Sequence, residues 1–317
     1  TSSRSGFSPT PAIVSKPPRF YRAISGILLL DKALGVSSNA ALQEVRALFA
    51  AAKAGHAGSL DPLASGLLPV CFGQATKVCG RLLGSNKTYR VLVQLGARTE
   101  SGDGETRVIE RVAVPPLDER TVDATLATFV GEQEQVPPMH SALKFEGKRL
   151  YELARRGESV ERAPRRIVIG RLARVRLEGD QLEFDVECSK GTYIRTLAAD
   201  VAQRLGTVGY VSGLRRLSVE PFGHLPMYTV EQLADLAVPA RDALLLQPDV
   251  AFPELSRVEL EASAVQALLQ GRTVSAVPPV VPGELRAYDR QGRFLGIVQG
   301  SADGRVRPVR LFVDVGG

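Results

Sequence analysis

The feature that most constrains this chain is a pair of alternating segments followed at once by an amphipathic helix. Ile167–Leu177 and Leu182–Cys188 flank Glu178-Gly179-Asp180, and Leu182, Phe184, Val186 and Cys188 fall on one side of the second segment. Alternation with period two predicts a β-hairpin buried on one face. Ile194, Leu197, Ala198, Val201 and Leu205 then recur at helical spacing, so a helix is expected to lay its apolar stripe on that sheet.

The flanking sequence extends the same mixed pattern. Ile24–Leu30 reads as a buried strand ending at Asp31-Lys32, after which Ser37 or Ser38 caps a helix carrying Leu42, Val45, Leu48 and Phe49 on one face. A Gly-rich loop from Gly55 to Gly66 precedes the apolar run Leu67–Phe72. Thr76–Leu83 and Val122–Phe129 are predicted helical, and Tyr89–Leu95 and Gly209–Leu217 are predicted strands. Near residue 247, prolines begin to punctuate short β-like runs such as Phe294–Val298 and Val309–Val313, which predicts a second, small β domain over 247–317. The expected fold class is therefore α+β, with a catalytic-sized domain over 24–246.

Composition removes several classes. With 317 residues, 44% of them hydrophobic, the chain can bury one large core or two unequal ones and is not intrinsically disordered. No run approaches the roughly 18 uncharged apolar residues of a membrane span, so no membrane partner is expected. Cys71, Cys79 and Cys188 form no C-x-x-C pair. With only His56, His140 and His224 beside them, no zinc finger or haem-attachment motif can be assembled. Reduced, cytoplasmic thiols are the expectation.

The net charge of +6 is unevenly spread: Lys144–Arg176 holds 11 Lys and Arg against 4 Glu, a local +7 that leaves the rest of the chain at −1. Such clustering fits a polyanionic partner, and equally a solvated, salt-bridged face. Much of it falls in Pro137–Arg166, a basic stretch with a helical patch at Leu150–Arg156. It is longer than an ordinary connection and is expected to be a functional insertion, bounded at about 130–166. Residues 1–23 carry Arg4, Lys16, Arg19 and Arg22, many Ser and Pro and no acid. A disordered basic tail is expected there, and the composition also fits an organelle transit peptide.

The stretch most suggestive of chemistry runs from Gly55-His56-Ala57-Gly58-Ser59-Leu60-Asp61-Pro62 to Gly66-Leu67-Leu68-Pro69-Val70. One carboxylate, Asp61, sits among small and apolar residues. Glycines on both sides permit close approach of the backbone to a ligand, and Pro62 stiffens the chain after the acid. A carboxylate so held can act as a nucleophile; an Asp-Pro turn or a helix cap accounts for it equally well.

This stretch resembles the signature of the TruB family of tRNA pseudouridine synthases, and the match continues through Gly73-Gln74-Ala75-Thr76-Lys77. Further segments are similar in order: Leu28–Lys32 with Gly35 and Ser37-Ser38, Lys87 and Tyr89 with Leu95-Gly96, Thr99, Ser101 and Asp103, Ser141–Lys144, Ser189–Arg195, and Leu214–Leu217. The resemblance implies a pseudouridine-synthase catalytic domain with a central mixed sheet and flanking helices. A basic thumb insertion and a C-terminal PUA-like β domain complete it. The implied activity is conversion of the T-loop uridine of tRNA, position 55 in tRNA numbering, into pseudouridine by a monomer that needs no metal, organic cofactor or obligatory protein partner.

Residue by residue, Asp61 matches the acid required for glycosidic cleavage, by attack at C1′ or through a glycal. Tyr89 matches the tyrosine that stacks on the base and is a candidate for the C5 proton. Arg195 matches the guanidinium that balances the acid, expected to be buried with it. Tyr193 and Leu214 match residues lining the uracil pocket, Asp31 and Lys32 are expected at its edge or at the strand end, and His56 matches the histidine that fills the RNA stack when the uridine leaves it. Lys144, Lys148, Arg149, Arg155 and Arg156 would grip phosphates, and the C-terminal domain would reach towards the acceptor stem. Ala57 and Ser59 replace the family's usual threonines, Ala33 a common proline and His140 a frequent tyrosine. An inactive RNA-binding or RNA-folding module, resting on charge alone, and a carboxylate-dependent hydrolase, resting on Asp61 alone, are the rival readings.

Overall fold

A computed structural model describes residues 21–312 except 142, 146, 155, 224 and 277–280. The N-terminal half runs β1 (Gly26–Lys32), α1 (Ser38–Leu48), β2 (Ala54–His56), β3 (Ala64–Phe72), α2 (Cys79–Leu83), β4 (Lys87–Leu95), β5 (Ala97–Thr99), β6 (Val108–Arg111), α3 (Glu119–Ala127) and β7 (Gly131–Gln135). A small hairpin, β8 (Lys144–Phe145) and β9 (Lys148–Arg149), leads into α4 (Leu150–Ala154), β10 (Arg165–Glu178), β11 (Gln181–Cys188), α5 (Ile194–Arg204) and β12 (Gly209–Val219). After α6 (Val230–Ala234) and α7 (Val238–Asp242) come β13 (Ser256–Leu260), α8 (Ala262–Leu269), β14 (Val274–Ser275), β15 (Gly283–Asp289), β16 (Phe294–Gly300) and β17 (Arg305–Leu311).

The central sheet has the order β1-β3-β12-β4-β11-β10-β7, with β2 also paired to β3. Only the β12–β3 pairing within it is parallel, so the sheet is mixed, as expected. The predicted hairpin is β10 and β11, with β11 beside the central strand β4 and β10 next to the edge strand β7, and the helix after it, α5, packs on this sheet. Phe184 and Val186 of β11 and Val91 and Val93 of β4 pack against Leu197, Ala198 and Val201 of α5. On the other side of the molecule α1 buries Leu42 and Val45 against Leu28, Leu30, Leu68 and Val70. Because β3 is covered on both faces, Leu67–Phe72 is an unbroken apolar run and not an alternating one.

Four expectations require correction. The helix predicted over Thr76–Leu83 is a 3₁₀ turn, Gly73–Val78, followed by the short α2. The insertion begins later than residue 130. Gly131–Gln135 has no apolar side chain to reveal it, yet its backbone pairs with β10 at the sheet edge. Arg165 and Arg166, at the far bound of the insertion, are already in β10. The expected tail lies outside the described residues up to 20, but its end is anchored: Arg22 bridges Ala51 and forms an ion pair with Asp242.

The second sheet, β13-β15-β16-β17-β14, does not hang from a free linker. Tyr288, Phe294, Ile297 and Phe312 share one core with Ile27, Leu29, Leu67 and Cys71 of the central sheet. Lys77 Nζ donates to the Leu311 carbonyl at 2.7 Å, and Arg310 Nη1 donates to the Lys77 carbonyl at 2.9 Å.

The tightest backbone approach near the site is at Gly66, which pairs with Lys32 on one side and Arg216 on the other at φ +98°. A Cβ there would overlap the Arg216 carbonyl oxygen. Gly66→Ala is expected to cost about 3 kcal/mol through overlap and a left-handed backbone, read as a lower urea midpoint.

Candidate active site

The loop carrying Asp61 is fixed from below by α1. Ser37 caps that helix, its hydroxyl accepting from Ala40 N at 3.1 Å. Ser38 turns inward instead, donating to the Leu60 carbonyl at 3.0 Å and accepting from Leu60 N at 2.8 Å. Gly35 N donates to the Pro62 carbonyl at 2.7 Å, and Ala64 N donates to that of Asp61 at 3.0 Å. The backbone on both sides of the acid is thus tied down, which loop composition alone suggested only through Gly and Pro.

Arg195 enters from the first turn of α5. Its Nη2 stands 3.4 Å from Asp61 Oδ2, and its Nη1 stands 3.1 Å from Asp103 Oδ2. Nη1 also donates to the Ser101 carbonyl at 3.1 Å, and Nη2 donates to the His140 carbonyl at 2.6 Å. The two carboxylates are unequal. The Asp103 side chain is 7% exposed and further held by Ser101 Oγ at 2.5 Å and Glu105 N at 3.0 Å, whereas that of Asp61 is 52% exposed. The expected pairing of Arg195 with Asp61 is therefore present but is the looser contact. The expectation that Asp61 is buried is corrected: it sits at the mouth of a cleft lined also by Leu63, Ala64, Asp103, Arg195 and Leu214.

Behind the acid lies a row of residues set by strand register: Lys32 pairs with Gly66, Gly66 with Arg216 and Arg216 with Tyr89. Lys32 is 1% exposed, and its Nζ donates to the Val36 carbonyl at 2.6 Å and the Ala33 carbonyl at 2.9 Å. Burial and the neighbouring Arg216 push its pKa down to about 8, against the opposing pull of Asp61. Lys87, 7% exposed, is pushed down to about 8 chiefly by burial and Arg216, its Nζ donating to the carbonyls of Leu82, Leu83 and Ser85. Tyr89 is raised by burial, while Arg216 draws it back through charge and a hydrogen bond. His56 is lowered by burial and by Arg216, and its buried Nδ1 has no partner among the described residues.

Several predicted residues converge here and others do not. Leu214 lines the cleft. Tyr193 caps α5, and its backbone is clamped by Gln135, whose Oε1 accepts from Tyr193 N at 2.7 Å and whose Nε2 donates to Tyr193 O at 3.1 Å. Asp31 turns to the face of β1 opposite Lys32, because adjacent strand residues alternate, and accepts both Nη1 and Nη2 of Arg215 at 3.0 and 2.7 Å. Asp31 and Lys32 thus hold the strand-end positions expected of them. In the insertion Lys144 pairs with Arg149 along the backbone, Lys148 and Arg156 are exposed, and Arg155 lies outside the described residues. Sequence reasoning gave no role to Asp103, Lys87 or Arg216. The last was within reach, since Leu214 facing the cleft puts Arg216 on the same strand face.

The matches to known proteins fall on this framework. The family model described as TruB family pseudouridylate synthase, N-terminal domain, matches residues 46–194. Two models of TruB C-terminal domains match 195–250 and 256–312. A tRNA pseudouridine synthase B of Chromohalobacter salexigens is 50% identical over 290 residues, covering 91% of this chain and 94% of that one. Its counterpart in Methylobacillus flagellatus is 47% identical over 298 residues, covering 94% and 98%. This chain belongs to the TruB family of pseudouridylate synthases. The fold of the TruB-family chain is also similar to one in a crystal structure of a Cbf5–Nop10–Gar1 complex, with TM-score 0.68, 23% identity, and coverage of 92% of this chain and 85% of that one. Among the described residues no helix is long and apolar enough to cross a membrane.

The buried lysines make a pH signature. Both bind a proton more weakly when folded, so between about 8 and the ordinary 10.5 the unfolded chain holds more protons and stability rises with pH. Below about 8 the cost of burying the charges is present in full. Lys87→Met is expected to flatten that rise by about 3 kcal/mol, whatever its constant offset, in urea unfolding compared across the window.

Proposed function

We propose that this chain isomerises the T-loop uridine at position 55 of tRNA to pseudouridine, as a cytoplasmic enzyme acting without an obligatory protein partner. The observation that carries the reading is a carboxylate on a pinned loop, open to solvent, facing a guanidinium 3.4 Å away. The relatives' printed name, tRNA pseudouridine synthase B, supports tRNA as the substrate.

The chemistry follows from the arrangement. Asp61 assists rupture of the N1–C1′ bond, either by attack at C1′ or by removing a proton on the way to a glycal. The freed uracil turns and rejoins through C5. C5 gives up a proton and N1 gains one, so substrate and product are isomers. Tyr89 stacks on the base and is the candidate for the C5 proton, Tyr193 and Leu214 flank it, and His56 fills the vacated place in the RNA stack. Arg195 orients Asp61, with the more buried Asp103 holding the fork in place.

The cleft beside Asp61 is lined by Leu63, Ala64, Asp103, Arg195 and Leu214. The insertion reaches this site through the His140 carbonyl, which accepts from Arg195 Nη2. Its residues Lys148 and Arg156 are exposed and would meet tRNA phosphates. The C-terminal sheet, welded to the central one, would extend the contact towards the acceptor stem.

Two outcomes test this. Release of tritium from C5-labelled uridine in an unmodified tRNA transcript is expected from the wild-type chain. Asp61→Asn is expected to lower it on the order of 10³-fold or more with tRNA binding kept; a free base among the products would indicate a hydrolase, and an unaffected variant a binding module. Replacing Lys148 and Arg156 by Gln is expected to weaken tRNA binding and to reduce the salt slope of log K by about 0.7–0.9 for each phosphate that is no longer neutralised.

A further inference from the structure

Arg216 is the largest fully buried side chain near the site, 1% exposed, and among the described residues it has no ion-pair partner. Its donors reach two different parts of the fold: Nε donates to the Leu67 carbonyl of β3 at 2.6 Å, and Nη2 donates to the Gly58 carbonyl at 2.9 Å, three residues before Asp61. Across the sheet Arg216 stands directly opposite Tyr89 of β4, so their side chains share one face, and its charge opposes the rise that burial gives the Tyr89 phenol. Room for this reach comes from Gly58, at φ +86°, where a Cβ would stand 3.4 Å from Nη1, and from Gly66, whose missing side chain lets β3 close on the Arg216 backbone.

A buried guanidinium ringed by carbonyls, with no carboxylate against it, leaves positive charge uncompensated, which is costly unless negative charge arises beside it. Its field is felt by its neighbours: burial makes Lys32, Lys87 and His56 bind protons more weakly, and Arg216 weakens that binding further. The phenol it faces across the strands is that of Tyr89. A merely structural anchor would need only the two carbonyls.

We propose that Arg216 is a positioning residue for the isomerisation, acting through Tyr89: it fixes the phenolic oxygen relative to the Asp61 loop and supplies the positive charge that lets that oxygen become anionic and accept the C5 proton. The proposal rests on the synthase reading. The phenol first releases its own proton to solvent. The C5 proton then passes to the phenolate oxygen, the C–H electron pair restores the C5–C6 double bond of the ring, and N1, already free of C1′, takes up a proton in exchange.

The test uses the full chain as wild type, Tyr89→Phe, Arg216→Gln and Arg216→Lys. Carbon-13 NMR of ring-labelled tyrosine, with Tyr89→Phe assigning the signal, follows ionisation of Tyr89 without any tRNA. Arg216→Gln is expected to lower the ratio of ionised to neutral Tyr89 at a given alkaline pH about tenfold or more, one pK unit. Turnover by tritium release is expected to fall about 100-fold with KM for tRNA within about threefold, and its alkaline-rising limb to move up in pH with the NMR midpoint. Should Arg216→Gln fail to fold, Arg216→Lys, which keeps the charge and shortens the reach, is expected to shift the midpoint the same way by less. An unmoved Tyr89 midpoint in whichever variant folds overturns the proposal, as does unchanged turnover. Wild-type protein that releases no tritium would sink the synthase reading instead, while the NMR titration still reports on the contact.

Discussion

The unequal sharing of one guanidinium between two carboxylates is the interaction on which the site depends. Arg195 stands 3.1 Å from the buried Asp103 and 3.4 Å from the half-exposed Asp61. The buried pair is worth more, because low dielectric strengthens it and the hydroxyl and amide on Asp103 leave that acid no other orientation. Asp103 therefore determines where the fork points, and Asp61 meets a cation already oriented. The acid that must meet a sugar carbon can then be left accessible without being left without a counter-charge, a division of labour that one buried pair could not provide.

Around this pair the sheet arranges positive charge by register. Lys32, Gly66, Arg216 and Tyr89 stand abreast on β1, β3, β12 and β4, so one row carries two buried cations, the glycine that lets the strands close, and the phenol. Each cation is met by backbone carbonyls and not by acids. Carbonyl dipoles make burial tolerable without cancelling the charge. The result is a row of buried positive charge behind a half-exposed carboxylate, suited to a reaction in which the base leaves the sugar with the N1–C1′ bonding electron pair.

Much of the scaffold was legible because it is driven by periodicity. The β10–β11 hairpin, the stripe on α5 and the run in β3 each leave a pattern that burial imposes on sequence. What escaped was structure held by backbone alone: β7, with Glu and Gln alternating, pairs at an edge where no side-chain pattern is required. At the site, the pairing of Arg195 with Asp61 was legible through motif resemblance and is present at 3.4 Å. A motif does not say which way a strand residue faces, so the turn of Asp31 to Arg215, set by alternation with Lys32, could not be read from it. Asp103 and Arg216 had no assigned role, because their significance lies in contacts between segments distant in sequence; Lys87 had none because its partners are nearby backbone carbonyls, which leave no mark on the sequence. Arg195 to Asp103 spans 92 residues and Arg216 to Gly58 spans 158.

The same geometry ties binding to alignment. The His140 carbonyl accepts from the very Nη2 that faces Asp61, so the basic insertion and the acid compete for one donor group. Displacing the insertion removes one acceptor from Nη2 and leaves Asp61 as its remaining charged neighbour, while Nη1 stays anchored on Asp103 and the Ser101 carbonyl. Movement of the insertion would therefore leave Arg195 to its two carboxylates and the Ser101 carbonyl, which is how contacts remote from the acid could act on orientation at the reacting centre.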